Sequence, residues 1–403
     1  MSGPRALVDI VSTPPPWRTW PETEAVLTAL DKVGGTARFV GGCVRDALLG
    51  LSTTDIDICT DLKPEDVVAA LESVQIRAIP TGIDHGTITA VLGEHSFEIT
   101  TLRVDVISHG RHADVAFTGD WKQDAARRDF TVNAIYLDRN GEIFDPAGGL
   151  NDLQAGKIRF IGKAEDRIRE DRLRVLRYFR FFARLGEDKP DPEALEACRA
   201  AAGQLDKLSI ERIRKELLLL LATNQPFTSV QLMAETGVLT AILEQEPDLG
   251  LLRSLLSLPV GSDEIQRLAA LLGGAQSPIE ATAERLKFSN RQKKRLAALS
   301  GQDVSENLPP QDRATALYQL GAEAFADQAL LLWARDPKNS EFTAYLEDAR
   351  NWSAPIFPVA GADLLDRGME SGPELGRQLK ELESEWINSG FTASKADLLK
   401  RLT

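Results

Sequence analysis

The stretch FVGGCVRDALLGLSTTDIDICT, Phe39 to Thr60, decides how the rest of the chain is read. Asp55 and Asp57 flank Ile56 and are followed by Ile58. On a strand this spacing sends both carboxylates to one face and both isoleucines to the other. Two acids on one face are a candidate seat for a divalent cation. Ahead of them, Gly41-Gly42 opens the apolar helical pattern VRDALLGL. The glycine turn brings backbone N–H groups and Arg45 to a helix start, where an anion is favoured. Only Leu51 to Thr54 lie between that helix and the aspartate strand, so the two features are neighbours in space. A cation site beside an anion cradle points to nucleotide chemistry. Taken singly, each half has a plainer reading: a solvated strand edge, and a turn that is only a turn.

Working outward, two further segments supply matching chemistry. In FEITTL, Glu98 alternates with Phe97 and Ile99 and is the third carboxylate candidate, with Asp105 in TLRVD as its competitor. Two divalent ions about 4 Å apart need three or more such ligands. The segment DAARRDFTVNAIY, Asp124 to Tyr136, offers Arg127 and Arg128 as guanidinium forks for phosphate, with Asp129 and Asn133 as polar groups for a ribose. A surface ion-pair cluster is the competing reading.

The helix expected over Ile168 to Leu185, IREDRLRVLRYFRFFARL, sets Glu170, Asp171, Arg174 and Arg177 on one face and Val175, Tyr178, Phe179 and Phe182 on the packed side. The plain reading is a salt bridge within the helix. The sharper one is a base reader. Aspartate accepts from an exocyclic amine while arginine donates to a ring nitrogen, a pair that cytosine and adenine both present. Uracil and guanine offer the opposite polarity and would leave buried groups unpaired.

Composition sets the limits. The 403 residues are 43% hydrophobic and 27% charged, which suits a globular protein of two to four domains. No run of about 18 apolar residues suggests a membrane span, and no basic-then-apolar N-terminus suggests a signal peptide. Cys43, Cys59 and Cys198 show no metal-ligand spacing, and the expectation is reduced thiols in the cytoplasm. The net charge of −13 argues against a nucleic-acid partner only on average. Lys157 to Arg184 holds ten basic residues against four acids, and Arg285 to Arg295 holds six, Arg285, Lys287, Arg291, Lys293, Lys294 and Arg295, with no acid. Both are phosphate-contact candidates.

In order, a Pro-rich arm (1–20) precedes a helix over Glu22 to Lys32 and strands expected at 37–42, 54–60, 88–93, 97–102 and 130–137. Beyond Gly148-Gly149 the period turns helical: 164–185, 209–223, 227–236, 263–272, 290–299, 311–331, 341–351 and 373–387 read as amphipathic helices. The fold class is α+β: a mixed-sheet head followed by an all-helical remainder.

GGCVRDALLG, TTDIDICT, TLRVDVISHGRHADVAFTGDW, ARRDFTVNAIY, DPAGGLNDL, REDRLRVLRYFRF and SIERIRKEL resemble, in order and spacing, the class II CCA-adding enzymes, bacterial tRNA nucleotidyltransferases of the polymerase-beta-like superfamily. The likeness is firm over about 30–220 and looser beyond. It implies template-independent addition of C, C and A to the tRNA 3′ end from CTP and ATP, with release of pyrophosphate and two Mg2+ ions on Asp55 and Asp57. It implies triphosphate contacts from Gly42 and Arg45, with Arg127, Arg128, Asp129 and Asn133 around triphosphate and ribose. Asp171 and Arg174 would be the protein template, supported by Arg177 and Arg180, and SIERIRKEL would steady that helix. Val104 to Asp120 would be a flexible loop serving the switch from C to A. The expected divisions are arm 1–20, nucleotidyltransferase head 21–150, neck 151–225, body 226–300 and tail 301–403, the helical parts holding the tRNA acceptor arm and elbow. Poly(A) polymerases and CC-only or A-only relatives share the head, but the former carry a GRRFRL-like run where this chain has GRHADVAFTGDW, and CC-only enzymes have lost the loop. A catalytically silent RNA-binding protein is the reading from another class. The four histidines all fall between His85 and His112, so the helical part carries no His-Asp phosphohydrolase motif.

Overall fold

The computed structural model describes residues 5–109, 112–187 and 189–400, and their side chains except those of 105–109 and 112–114. It divides into two compact units, the first ending at Glu244 and the second beginning at Gln245.

The first unit is built on a seven-stranded mixed sheet. Its strands are β1 (Ala37–Val40), β2 (Ile56–Thr60), β3 (Arg77–Gly82), β4 (Thr87–Leu92), β5 (His95–Thr101), β8 (Tyr136–Leu137) and β9 (Ile143–Phe144), in the order β3-β4-β5-β2-β1-β8-β9. The central pairing decides the site. β2 runs parallel to β5 with Asp57 opposite Glu98, and antiparallel to β1 with Ile58 opposite Phe39. Ile56, Ile58, Phe97 and Ile99 are buried, so the alternation read from the sequence holds along both strands. β6 (Arg103–His109) and β7 (His112–Phe117) pair as a separate two-stranded ribbon, so most of the segment expected to be a loop is paired strand in its backbone, residues 110–111 lying outside the described residues.

Helices α1 (Pro21–Lys32), α2 (Gly42–Leu48), α3 (Pro64–Glu72), α4 (Trp121–Ala126) and α5 (Gly149–Gln154) accompany the sheet. α1 and α3 follow the capping rules, with proline at the first helical position and two acids in the first turn. α6 (Ala164–Glu170), α7 (Leu173–Leu185), α8 (Pro192–Ala201) and α9 (Ile210–Leu221) follow. α7 buries Val175, Leu176, Tyr178, Phe179 and Phe182 and leaves its arginines on the other side, the expected stripe. The helices Phe227–Glu235 and Val238–Leu243 belong to this unit, and Ser229 donates its hydroxyl to the Phe179 carbonyl at 2.6 Å.

The second unit is helical. Tyr318, Phe357 and Phe391 pack against a cluster formed by Val359, Leu364, Leu382, Trp386, Ile387, Leu398 and Leu399. Among the described residues no helix is long and apolar enough to cross a membrane. Cys43, Cys59 and Cys198 are free and buried.

Four expectations need correction. The strand expected over 130–137 survives only as Tyr136–Leu137. Thr131 to Asn133 form a 3₁₀ turn because their polar side chains are committed inward, Thr131 to Asp152 at 2.6 Å and Asn133 to Asp129 at 3.0 Å. β3 went unseen because its pattern is not alternating and it carries Pro80, tolerable on this edge strand. The helix expected over 164–185 breaks at Asp171, whose φ of −144° is extended, and the one expected over 311–331 breaks at Gly321, whose φ of 81° suits glycine.

Candidate active site

Gly41 is the pivot. Its φ of 74° and ψ of −126° are disallowed for ordinary side chains, and a Cβ there would lie 3.7 Å from Asp57 Oδ2 and 3.9 Å from an Arg128 guanidinium nitrogen. The turn therefore brings the start of α2, Asp57 and Arg128 within van der Waals reach of one point.

Asp55 is exposed, Asp57 half-buried and Glu98 exposed on the neighbouring strand. Burial, then the charges of Glu98 and Asp55, push the Asp57 carboxyl up to about 6 against the opposing pull of Arg128 and Arg45. Asp57 thus feels the charge of both other acids. Among the described residues, however, no three His, Cys, Asp or Glu side chains already stand in a coordinating array. Rotation of the exposed Asp55 and Glu98 would be needed to gather oxygens about one point. Mutually repelling hard oxygen donors fit a hard divalent cation. The side chain of Asp105, the competing third ligand, lies outside the described residues.

The arginines are fixed by buried carboxylates. Asp124, fully buried, accepts from Arg127 Nε at 2.8 Å, from Arg128 Nη2 at 3.1 Å and from the Tyr136 hydroxyl at 2.8 Å. Burial raises its pKa, but Arg128 and Arg127 more than offset that and hold it at about 2. Arg45, 4% exposed, donates to Asp46 at 2.8 Å and to Asn133 Oδ1 at 2.6 Å. The other oxygen of Asp46 takes Arg184 at 2.9 Å. Asn133 in turn donates to Asp129 Oδ1. Arg177 donates to Asp129 Oδ2 at 2.7 Å, and Arg180 to Glu216 at 2.5 Å. Asp129 sits at about 2, burial pushing it up and Arg177 and Asn133 more than reversing that. A continuous chain of polar contacts therefore runs from the glycine turn to the arginine face of α7. This chain joins Arg45, Asn133, Asp129 and Arg177, and Glu216, 4.0 Å from Arg177, carries it on to Arg180.

Asp171 and Arg174 lie at the helix break. Arg174 forms the plainer of the two expected contacts, an ion pair with Glu170 at 2.6 Å, and also donates to the Arg127 carbonyl at 3.0 Å. Asp171 accepts from the Leu173 N–H at 3.0 Å and from Arg212 at 2.7 Å. Neither residue is spent on the other. A carboxylate has about four acceptor sites and a guanidinium five donors, so both keep capacity for a base edge.

Sequence reasoning missed Asp46, Asp124, Arg212 and Glu216. Asp124 opens the arginine segment and Arg212 and Glu216 sit in SIERIRKEL, so the motifs contained them without showing which arginine each would hold. In the second unit, Arg295 is occupied by Asp327, at 2.8 and 3.0 Å, and by Asp263, while Lys293 pairs with Glu284. Lys287, Arg291 and Lys294 are exposed.

Residues 37–159 match the family described as poly A polymerase head domain, and 189–249 the one described as a probable RNA- and SrmB-binding site of polymerase A. The mitochondrial CCA tRNA nucleotidyltransferase 1 of Danio rerio is 37% identical over 379 residues, 91% of this chain and 86% of the relative. The chain belongs to the CCA-adding enzyme family. The CCA-adding enzyme of Lactococcus lactis subsp. cremoris strain MG1363 is 32% identical over 91% of this chain and 92% of its own length. The CCA-adding enzyme of Bacillus stearothermophilus, solved with CTP, superimposes with a TM-score of 0.74 at 28% identity, covering 92% of this chain and 94% of that one. Membership of the CCA-adding enzymes accounts for a mixed-sheet head followed by helices.

Proposed function

We propose that this chain adds C, C and A in turn to the 3′ end of tRNA, using CTP and ATP and releasing pyrophosphate. The observation that carries the reading is the polar chain joining Arg45 to Asn133, Asp129 and Arg177, with Asp57 and Arg128 beside the glycine turn and Arg174 bonded to the Arg127 carbonyl, while Asp171 and Arg174 keep unspent acceptors and donors. Such an arrangement would set a triphosphate cradle and a base reader side by side. Arg45, Arg127 and Arg128 would take the triphosphate, Asn133 and Asp129 the ribose, and Asp171 with Arg174 the amine and ring nitrogen of C or A. Arg177 and Arg180 would support that pair.

Asp55 and Asp57, with Glu98 as third ligand, would hold two Mg2+ ions. When bound, these would neutralise charge on the triphosphate and acidify the terminal hydroxyl. The 3′ oxygen forms the new bond to the α-phosphorus, the bond to the bridging oxygen breaks, and pyrophosphate leaves with its electron pair. The hydroxyl proton passes to solvent. The chain's own contribution is positioning and charge stabilisation.

We assign 21–150 as head, 151–225 as neck, 226–300 as body and 301–403 as tail, with 1–20 as an arm. In the body, Lys287, Arg291 and Lys294 are the exposed members of the basic cluster offered to the tRNA backbone, beside Arg285 and Lys293. The three buried thiols support work in the reducing cytoplasm.

The test is extension of three tRNAs ending before CCA, after C and after CC, with each nucleoside triphosphate and magnesium. Stopping at CCA with UTP and GTP unused is the expected outcome. Stopping after CC or making long A tails would replace it with a related activity, and no extension would favour a silent RNA-binding protein.

A further inference from the structure

A cleft of about 590 Å³ lies in the first unit beside Leu51, just past the C-terminal end of α2, and neither Asp55 nor Asp57 lines it. Its walls are Leu51 on one side and α7 and the end of α9 on the other. Leu51 and Leu219, 46% and 43% exposed, are two of the few large apolar side chains left open to solvent, and they face this one cavity. Arg5, Arg180 and Arg184 also line it, with the amides of Asn224 and Gln225, and among the described residues no carboxylate does. Each arginine is braced by an acid outside the lining: Arg5 by Glu187, Arg180 by Glu216 and Arg184 by Asp46. An ion pair uses part of a guanidinium's five donors, so a braced arginine presents its remaining N–H groups without paying further side-chain entropy.

We propose that this cleft is a subsite for a nucleotide of the RNA strand lying just upstream of the reacting 3′ end. The inference rests on the tRNA-extending function proposed above. Apolar walls with braced cations and two neutral amides suit a base and one phosphate of any sequence, the requirement for an enzyme acting on many RNAs. A free triphosphate is the poorer fit, because the glycine turn that would cradle one is at the other end of α2. That helix has seven residues, about 10 Å at 1.5 Å per residue, a span of one or two nucleotides. Asp46 joins the two ends, one oxygen holding Arg45 beside the glycine turn and the other holding Arg184 in the cleft.

The test uses the full chain and a tRNA lacking CCA with 4-thiouridine at its last or penultimate residue. Irradiation is expected to cross-link that residue to the peptide containing Leu219 and Asn224. Leu219→Glu and, separately, Arg5→Ala are expected to raise the KM for tRNA about tenfold, equivalent to about 1.4 kcal/mol, with the KM for CTP unchanged. Both positions are partly exposed, and Asn224→Ala, also exposed, serves as a third variant if either misfolds. Unchanged tRNA KM with cross-links elsewhere would overturn the subsite, as would a raised KM for CTP alone. Failure of the unaltered chain to extend any tRNA would instead count against the proposed function, and the cross-link would still report on the cleft.

Discussion

Asp124 is the residue on which Arg127 and Arg128, the arginines proposed for the triphosphate, depend. It is fully buried and accepts from Arg127, Arg128 and Tyr136 together. Asp124→Asn leaves two guanidiniums facing a neutral amide, one of whose ends is itself a donor. Removing one partner of a buried ion pair costs about 3–5 kcal/mol. Denaturant unfolding should show a loss of that order, and kcat/KM for CTP should fall about a hundredfold because the forks are no longer held in place. The acid limb of stability follows from the same contacts. Asp124 and Asp129 are both depressed to about 2, so each contributes stability that is complete above the unfolded carboxyl value near 4 and is lost as pH falls through about 2. The unaltered protein should therefore destabilise between about pH 4 and 2, and Asp124→Asn should show a shallower fall over that window. Arg212 belongs to the same scale. It anchors Asp171 from α9, so Arg212→Ala should raise misincorporation of UTP while leaving the KM for tRNA unchanged; a uniform fall with every nucleotide would mark it as merely structural.

Among the elements, the glycine turn and the break between α6 and α7 carry the site. Gly41→Ala forces a side chain into φ 74°, ψ −126°, a strain of about 1–3 kcal/mol, beside Asp57 and Arg128. A fall in kcat larger than the fall in stability, measured by extension and thermal melting, is the expected outcome. Element identity was legible where one period dominated. The Asp-x-Asp strand and the apolar stripe of α7 follow directly from residue spacing. Legibility ended where side chains overrule the backbone pattern. Phe130 to Leu137 has a strand's composition, yet Thr131 and Asn133 turn inward to Asp152 and Asp129. Asp171 sits in an unbroken helical pattern, yet its carboxylate caps the Leu173 N–H and takes Arg212 from α9, and the helix parts there. The bonds to Asp152 and from Arg212 are long-range, those to Asp129 and from Leu173 are local but irregular, and no simple period encodes either kind. The candidate site was legible as residue types at spacings. Which arginine each acid holds was not.

On the scale of the whole molecule, a net charge of −13 conceals two kinds of basic residue, those that hold the protein together and those left outside. Arg295 is of the first kind, clamped on Asp327, which is 1% exposed. Arg295→Ala should destabilise the protein by about 3 kcal/mol through the stranded buried charge. Arg291 and Lys294 are exposed, and their replacement by alanine should leave stability unchanged, weaken tRNA binding and flatten its salt dependence by up to about one unit of slope per contact. The order of head and helices was readable from the change of period after Gly149. The inclusion of Phe227–Glu235 in the first unit was not, since it depends on contacts with α7 such as that between Ser229 and Phe179.

The central claim is that protein side chains, Asp171 and Arg174, choose the base. The measurement that addresses it most directly is single-turnover incorporation of CTP and of UTP onto tRNA lacking CCA, comparing the unaltered chain with Asp171→Ala and Arg174→Ala. The account predicts strong preference for CTP in the unaltered chain and its loss by about a hundredfold or more in each variant, since each mismatched or missing polar contact is worth a few kcal/mol. Equal slowing of CTP and UTP, with the preference intact, would contradict it.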